Sequence, residues 1–194
     1  ETDKAVDLML DKIGPSNPIG RVVKSGEKAF LDALNSDGFL YFSQYETISL
    51  GKVLPVELVK SIFSKVSHSC GFPYTNDHLY EEWPEAREHD IAGIMIIPLF
   101  EKKRYFTAWI RKETTRIQRW VGVENEKDED APKEERLKPR TSFAVNERRI
   151  TGFSYAFDKA DIETANRLNR MFLVYALDVQ EKMHISIQEL ERQD

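Results

Sequence analysis

Histidine, cysteine and acidic side chains are the first candidates for chemistry in this sequence. The triplet His68-Ser69-Cys70 contains a possible nucleophile and two possible metal ligands. Zinc is held by three or four protein ligands, so a structural or incidental role is the favoured interpretation of the triplet. The remaining candidates have no spacing that fixes a carboxylate pair or a catalytic triad, and an exposed loop is favoured for them; they are His78, Glu81, Glu82, Glu85 and His89.

A second kind of chemistry belongs to the pentapeptide Pro139-Arg140-Thr141-Ser142-Phe143. It follows the charged run ENEKDEDAPKEER at 124–136, whose composition is typical of disordered segments. The pentapeptide holds a rigid cation, a hydroxyl and an aromatic ring. A guanidinium can bind a carboxylate with two parallel hydrogen bonds, and a serine hydroxyl can give a neutral one.

Composition limits the classes of protein that can carry these groups. The chain has 194 residues, enough for one domain with a sizeable core. A net charge of -5, with no basic stretch longer than a pair, argues against a nucleic-acid partner. One cysteine and no run of 18 apolar residues predict a cytoplasmic chain without a membrane span. The chain lacks an initiator Met, which suggests a fragment of a longer protein.

Hydrophobic periodicity predicts the elements that position these residues. Helices are expected over 2–13, 26–35 and 54–66, and the segment GPSNPIG after the first helix is expected to be a loop. Short strands are predicted for FLYF and TISL. The run IAGIMIIPLF fits a strand buried on both faces, paired antiparallel with YFTAWIRKE across the turn EKKR.

From residue 160 to the end, apolar residues recur at steps of three or four without Gly or Pro. The pattern predicts a helix about 50 Å long, longer than the body of a small domain. Its stripe continues into the last turns, which favours a parallel homodimer through this helix. A helix folded back on its own sheet is the alternative. The whole pattern predicts an α+β domain with a mostly antiparallel sheet sandwiched by helices.

The segment between Trp109 and Phe153 is too long for an ordinary loop. Strand alternation would place Trp109, Arg111 and Glu113 on one face of its outgoing leg, whereas Ile117 and Trp120 also have helical spacing. The returning leg is equally compatible with strand or helix. A plain surface hairpin is the simplest interpretation, but three large apolar side chains would be costly to expose on an isolated arm; they are Trp109, Trp120 and Phe143.

Three motifs in this segment resemble the tongue of the PHY domain of phytochromes, the bilin-binding red/far-red photoreceptors. They are Trp109-Ile110-Arg111-Lys112-Glu113, then Arg119-Trp120-Val121-Gly122, then Pro139-Arg140-Thr141-Ser142-Phe143. The first and third match the family pattern fully, and Val121 replaces its alanine in the second. Asn146 stands where the family often has a tryptophan, a departure that bears on packing at the base of the tongue.

The resemblance implies one PHY domain over 1–194, of GAF/PAS-like fold with five to six antiparallel strands. Its parts would be a connecting helix over 1–13, the tongue over 111–150 and a signalling helix over 158–192. Arg140 and Ser142 would alternate as partners of an aspartate in the neighbouring GAF domain, and Pro139 and Phe143 would belong to the same latch. Packing of the tongue would use Trp109, Arg111, Glu113, Trp120 and Gly122.

The bilin, biliverdin or phycocyanobilin, would lie in that GAF domain, so this chain itself is expected to carry no cofactor and no catalytic site. The parent protein is expected to be a sensor histidine kinase. A stand-alone GAF-like domain that binds a small ligand, or a dimerisation module, remains the alternative. Methionine sulfoxide reduction on this fold would need several cysteines, and the sequence has one.

Overall fold

The computed structural model describes Asp7 and residues 11–13, 18–69, 71–100, 105–121 and 145–192, with the side chains of residues 120, 121, 145 and 146 outside that description. The described helices are α1 (Ile19–Ser25), α2 (Glu27–Asp32), α3 (Val56–Ser69), α4 (Leu79–Glu82) and α5 (Lys159–Glu191), with a 3-10 turn over Pro84–His89. The described strands are β1 (Gly38–Phe42), β2 (Thr47–Gly51), β3 (Tyr74–Asn76), β4 (Ile91–Pro98), β5 (Phe106–Lys112), β6 (Thr114–Val121) and β7 (Val145–Phe153).

Five strands form one antiparallel sheet in the order β2-β1-β5-β4-β3, and β6 and β7 form a separate two-stranded sheet. The predicted central pair is confirmed, since β4 and β5 pair antiparallel from Ile91↔Lys112 to Pro98↔Phe106. The turn EKKR at 101–104, expected between them, lies outside the described residues. The predicted α+β class and antiparallel sheet are confirmed.

Strand alternation divides the core between the two faces of the sheet. In β5, Trp109 packs with the aromatic cluster on the face covered by α1, α2 and α5, whereas Ala108 and Ile110 face α3. In β1, Phe39 packs in the same cluster as Trp109, and Leu40 packs in the cluster on the other face. Each face therefore buries its own hydrophobic cluster, which explains why the two central strands are apolar along their whole length.

Helix α1 corrects the expectation of a loop in GPSNPIG. Pro18, with a φ of −64°, occupies the N-cap position, and the helix begins at Ile19. Proline is tolerated where a helix starts, because the N–H it lacks would have no helical partner there. Ile19, Val22 and Val23 are buried, so tertiary burial outweighs the local signals of Pro and Gly. Most of the helix predicted over 2–13 lies outside the described residues.

Helix α5 confirms the predicted long C-terminal helix. Its N-terminus is a capping box, in which Asp158 accepts from the backbone N–H of Asp161 and Asp161 accepts from that of Asp158. Its 33 residues correspond to about 50 Å. Asn169 fixes the helix to the sheet through Thr107 and the carbonyl of Pro98. Within the described ranges, no helix combines the length and apolar composition needed to cross a bilayer.

Candidate functional site at the base of the β6–β7 hairpin

The hairpin formed by β6 and β7 begins one residue after the central strand β5 ends. Its strands pair antiparallel from Thr114↔Phe153 to Val121↔Val145, with an irregularity between Thr114 and Arg116. Arg119 and Glu147 occupy opposite positions and form an exposed ion pair of 2.6 Å. Ile117 is 52% exposed on the same hairpin. The eight residues of β6 span about 26 Å, so the hairpin can carry its far end well away from its attachment.

Glu113 joins the hairpin to the body of the domain. Its carboxylate accepts a hydrogen bond from the backbone N–H of Gly152, at 2.5 Å, and one from the hydroxyl of Tyr80, at 3.3 Å. Burial, followed by the nearby Glu113 carboxylate, raises the pKa of Tyr80 to about 12. Gly152 has a φ of +89°, a conformation that L side chains rarely adopt. Glycine therefore allows β7 to turn while it donates to Glu113.

The chain leaving β7 crosses the main sheet at Gly93 of β4. A Cβ atom at Gly93 would lie 2.8 Å from Cβ of Ser154 and would overlap the Ser154 hydroxyl. Ser154 is buried, and its N–H donates to the carbonyl of Asp77 at 2.9 Å. The Ser154 side chain can therefore pack against β4 only because position 93 has no side chain.

Arg111, near the end of β5, binds the segment that follows β7. Its guanidinium donates to the carbonyls of Tyr155 and Ala156, at 3.3 and 2.7 Å, and to the Asp161 carboxylate in the first turn of α5, at 2.9 Å. Two further bonds reach the carbonyls of Leu34 and Asn35. The side chain is 5% exposed, so this cation is buried and fully hydrogen-bonded, as a buried charge needs to be.

Aromatic rings pack at the base of the hairpin, where β7 ends. The ring of Phe153 stacks with that of His78, at 6.0 Å between centroids, and the guanidinium of Arg116 lies 4.8 Å from the Phe153 centroid. Arg116 also lies 6.0 Å from the ring of Tyr155, which is exposed. Stacking of this kind holds the two strands to the body where β7 ends.

A comparison with models of known protein families identifies the family to which this chain belongs. A family model described as "Phytochrome region" (PHY) matches residues 3–181. The chain belongs to the PHY family. A comparison with curated protein sequences gave no match.

Solved structures similar to this PHY domain include two phytochromes. A bacteriophytochrome from the photosynthetic bacterium R. palustris is 19% identical with a TM-score of 0.71, and the match covers 91% of this chain and 36% of the other. The photosensory core module of the Stigmatella aurantiaca phytochrome is 21% identical with a TM-score of 0.63, over the same shares. The PHY domain therefore spans about a third of the length of these chains.

The structure places four of the predicted PHY tongue residues, Trp120 by its backbone alone, and the position of Trp109 is a correction. Trp109 is not on the arm: it lies in the centre of β5, with its ring 4.9 Å from Phe30 and 4.6 Å from Phe39. The core of the domain therefore buries this side chain, and it needs no docking partner. Arg111 also lies in β5, where it binds the segment after β7 and the first turn of α5, and Glu113 joins the start of the hairpin to Gly152 and Tyr80.

Of the remaining predicted tongue residues, the structure describes only the backbone of Trp120. Trp120 belongs to β6 and its backbone is opposite Asn146, so the outgoing leg is a strand and not a helix. The other predicted residues, Gly122, Pro139, Arg140, Ser142 and Phe143, lie outside the described residues. Their roles remain predictions.

Metal ligands are not grouped in the described part of the PHY domain: no three His, Cys, Asp or Glu side chains there come close enough to hold an ion. His68 lies near the end of α3, with Nδ1 2.6 Å from the carbonyl of Ser64. Cys70 is outside the described residues. His78 is 3.2 Å from the Asp77 carboxylate and stacks on Phe153, so the segment interpreted as an exposed loop includes a residue that packs on the hairpin.

Sequence reasoning missed Gly93, Gly152, Ser154 and Tyr80 as parts of this site. Gly93 is the one position without a side chain in an otherwise apolar strand, and such a glycine is a signal of close backbone approach. Ser154 and Tyr80 carry no comparable signal, because their roles depend on contacts between residues far apart in the chain.

Proposed function

We propose that this chain is the signal-relay region of a red/far-red photoreceptor of the phytochrome type. In this proposal the hairpin contacts a bilin-binding GAF domain of the same polypeptide, and α5 passes the signal to an output module, a histidine kinase. The chain itself is not an enzyme. The observation that carries the proposal is that Arg111, in a PHY-family chain, binds both the segment that leaves the hairpin and the first turn of the long helix.

The proposed latch consists of residues outside the described part of the chain. Arg140 pairs with an aspartate near the chromophore in one photostate, and Ser142 replaces it in the other as the tongue changes from hairpin to helix. Pro139 and Phe143 pack beside them. A planar guanidinium and a neutral hydroxyl differ in charge and reach, so two states that exchange them present different contacts to the same carboxylate.

In this proposal the bilin is bound by the neighbouring GAF domain and not by this chain. Bilins carry propionate groups, which favour free cations in a binding site. At the hairpin base the five N–H donors of Arg111 are all hydrogen-bonded within the protein, and Glu113 is hydrogen-bonded to Gly152 and Tyr80. This site does not fit the chromophore. The single cysteine of the sequence favours a cytoplasmic location.

The test of the latch uses the photoreceptor that contains this chain, expressed with a bilin supply. Arg140→Ala and Ser142→Ala are each expected to change the photostate yield or the rate of dark reversion in red/far-red difference spectra. Arg149→Ala, which removes an exposed arginine from β7, is the matched control and is expected to leave both unchanged. If both latch variants behave like wild type, the latch assignment is wrong.

A second candidate function, binding of a small ligand by a stand-alone GAF-like domain, is supported by a groove of about 420 Å³ beside α5. Its lining includes Ile13, Ile19, Met171 and Val174, and apolar concave sites of this size hold small molecules. The photoreceptor proposal can be tested on the isolated chain. The photoreceptor proposal expects no coloured adduct when bilin is supplied to it, and a photoactive adduct would contradict that proposal.

A further inference from the structure

We propose that Arg111 is a positioning residue that couples the β6–β7 hairpin to the start of α5. The inference deepens the proposed function and rests on it for its biological meaning, because a relay needs a rigid connection between the arm and the signalling helix. The contacts themselves are properties of this chain. Arg111 reaches three segments that are distant in sequence, namely 34–35, 155–156 and Asp161.

The geometry of the guanidinium makes this connection specific. Nη1 donates to the two carbonyls after β7, Nη2 donates to Leu34 and Asp161, and Nε donates to Asn35. Arginine has five N–H donors in a rigid planar fork, and all five are used. Lysine has three donors on one atom and cannot span acceptors in opposite directions. Charge alone would therefore not reproduce the connection.

Asp161 carries the coupling into α5. The same Oδ2 atom accepts from Nη2 of Arg111 at 2.9 Å and from the backbone N–H of Asp158 at 3.0 Å. The carboxylate that caps the helix is thus also the counter-ion of the buried cation. The first turn of α5 cannot move relative to Arg111 without loss of either the ion pair or the cap.

Two further contacts fix the segment that follows β7. The guanidinium carbon of Arg111 lies 4.0 Å from the centroid of Phe157, and both residues are buried. Ser154 is fixed against Gly93 and Asp77. A displacement of β7 therefore acts on residues 155–157, and through Arg111 it acts on both the sheet and the helix. The five residues that join β7 to α5, 154–158, thus have contacts with both the sheet and the helix.

The coupling is tested by distance measurements between spin labels on this chain. In a Cys70→Ser background, labels are attached at Ile117→Cys on the hairpin and Leu177→Cys on α5, two exposed positions. Pulsed electron paramagnetic resonance then reports the distribution of distances between them. Arg111→Lys keeps the charge but removes the fork, and we expect a broader or shifted distribution. Arg148→Lys, a change of the same type at an exposed position of β7, is expected to leave it unchanged.

Asp161→Asn is the second test variant, and it decides the matter if Arg111→Lys does not fold. The amide keeps an acceptor for the cap and removes the charge, so the helix remains while the ion pair is lost. Loss of a charge-assisted hydrogen bond predicts about tenfold faster hydrogen exchange in the first turn of α5. The proposal is overturned if the folded variants keep the wild-type distance distribution and exchange rates.

These outcomes are separate from those of the photoreceptor proposal. The label distances are measured without bilin and without a GAF domain, so they test only the connection within this chain. A changed distribution in Arg111→Lys, combined with normal photoconversion in the Arg140 and Ser142 variants, would leave the coupling in place and contradict the latch. An unchanged distribution with altered photoconversion would contradict the coupling and leave the latch in place.

Discussion

Alternate residues at the end of β5 serve different parts of the molecule. Arg111 points to the face covered by α5, whereas Lys112 forms an exposed ion pair of 3.1 Å with Asp37. Glu113, next in the chain, binds Gly152 and Tyr80 at the start of the hairpin. Strand geometry separates Arg111 from Lys112, because successive side chains leave a strand on opposite sides, whereas Glu113 follows the end of β5 and is positioned by its contacts with Gly152 and Tyr80. One short segment can thus attach both the hairpin and the long helix.

Gly93→Ala tests the crossing of the chain over β4. The added methyl group would overlap Ser154, and overpacking of this kind destabilises by about 1–3 kcal/mol. We expect a loss in the free energy of unfolding within that range, measured by denaturant titration. Gly71→Ala is the matched control, because no atom of the described residues lies within 4 Å of its added Cβ. Equal stability of the two variants would contradict the close approach of Gly93 and Ser154.

The hairpin shows how tertiary contacts decide between two local preferences. Residues 114–121 fit a strand by their β-branched and aromatic content, and a helix by the spacing of Ile117 and Trp120. The structure selects the strand, with its first pair, Thr114↔Phe153, beside the Glu113 anchor. A segment with balanced local preferences can change state when a few kcal/mol of contacts change. Anchors at the base would confine such a change to the far part of the hairpin.

Glu113→Gln tests the anchor of the hairpin. Gln keeps an acceptor but removes the negative charge, so we expect faster hydrogen exchange at the Gly152 N–H and a lower pKa for Tyr80 than about 12. The pKa is measured by the absorbance of tyrosinate against pH. Glu163→Gln changes an exposed carboxylate on α5 and is expected to alter neither. An unchanged Tyr80 titration in Glu113→Gln would contradict the contact.

The sign of the pH dependence follows from the raised pKa of Tyr80. The folded state holds the phenolic proton more tightly than the unfolded state, whose pKa is about 10. This contribution to stability is complete below pH 10 and is lost as pH rises towards 12. In the Glu113→Gln variant we expect the free energy of unfolding to fall less between pH 10 and pH 12. The reason is that the pKa of Tyr80 in the folded variant lies closer to its unfolded value.

At the scale of the whole molecule, α5 continues beyond the sheet with its apolar stripe exposed. The face that is buried at Ala165, Leu168, Phe172 and Ala176 continues at Met183, Ile187 and Leu190. Residues 181–192 are exposed on all sides. A helix whose apolar stripe is covered by none of the described residues fits a parallel homodimer, in which two copies bury the stripe.

Ile187→Asp tests the dimer proposed through this stripe. A charge in the centre of a helix–helix interface is expected to shift the chain from dimer to monomer in sedimentation velocity experiments. Ile185→Asp is the matched control, because its exposure of 47% is close to the 50% of Ile187 but helical geometry places it on the opposite side of α5. Dissociation by Ile185→Asp alone would assign the interface to the other face. A monomeric wild-type chain would contradict the dimer.

Periodicity in the sequence determined much of this protein. The alternating strands, the amphipathic α3 and the apolar steps of α5 each follow from the need to bury a defined face, and three ordered motifs identified the family. The predicted long helix and central strand pair are present in the structure. These features could be predicted because each depends on residues that are neighbours in the chain.

Tertiary structure alone decided the rest. It placed Trp109 in the core, formed α1 despite Pro18 and Gly20, and made one buried arginine the meeting point of three segments. Local sequence could not fix these outcomes, because a guanidinium finds its acceptors only after residues more than 40 positions apart are brought together. The motifs therefore located the hairpin, and the fold decided how the hairpin is joined to α5.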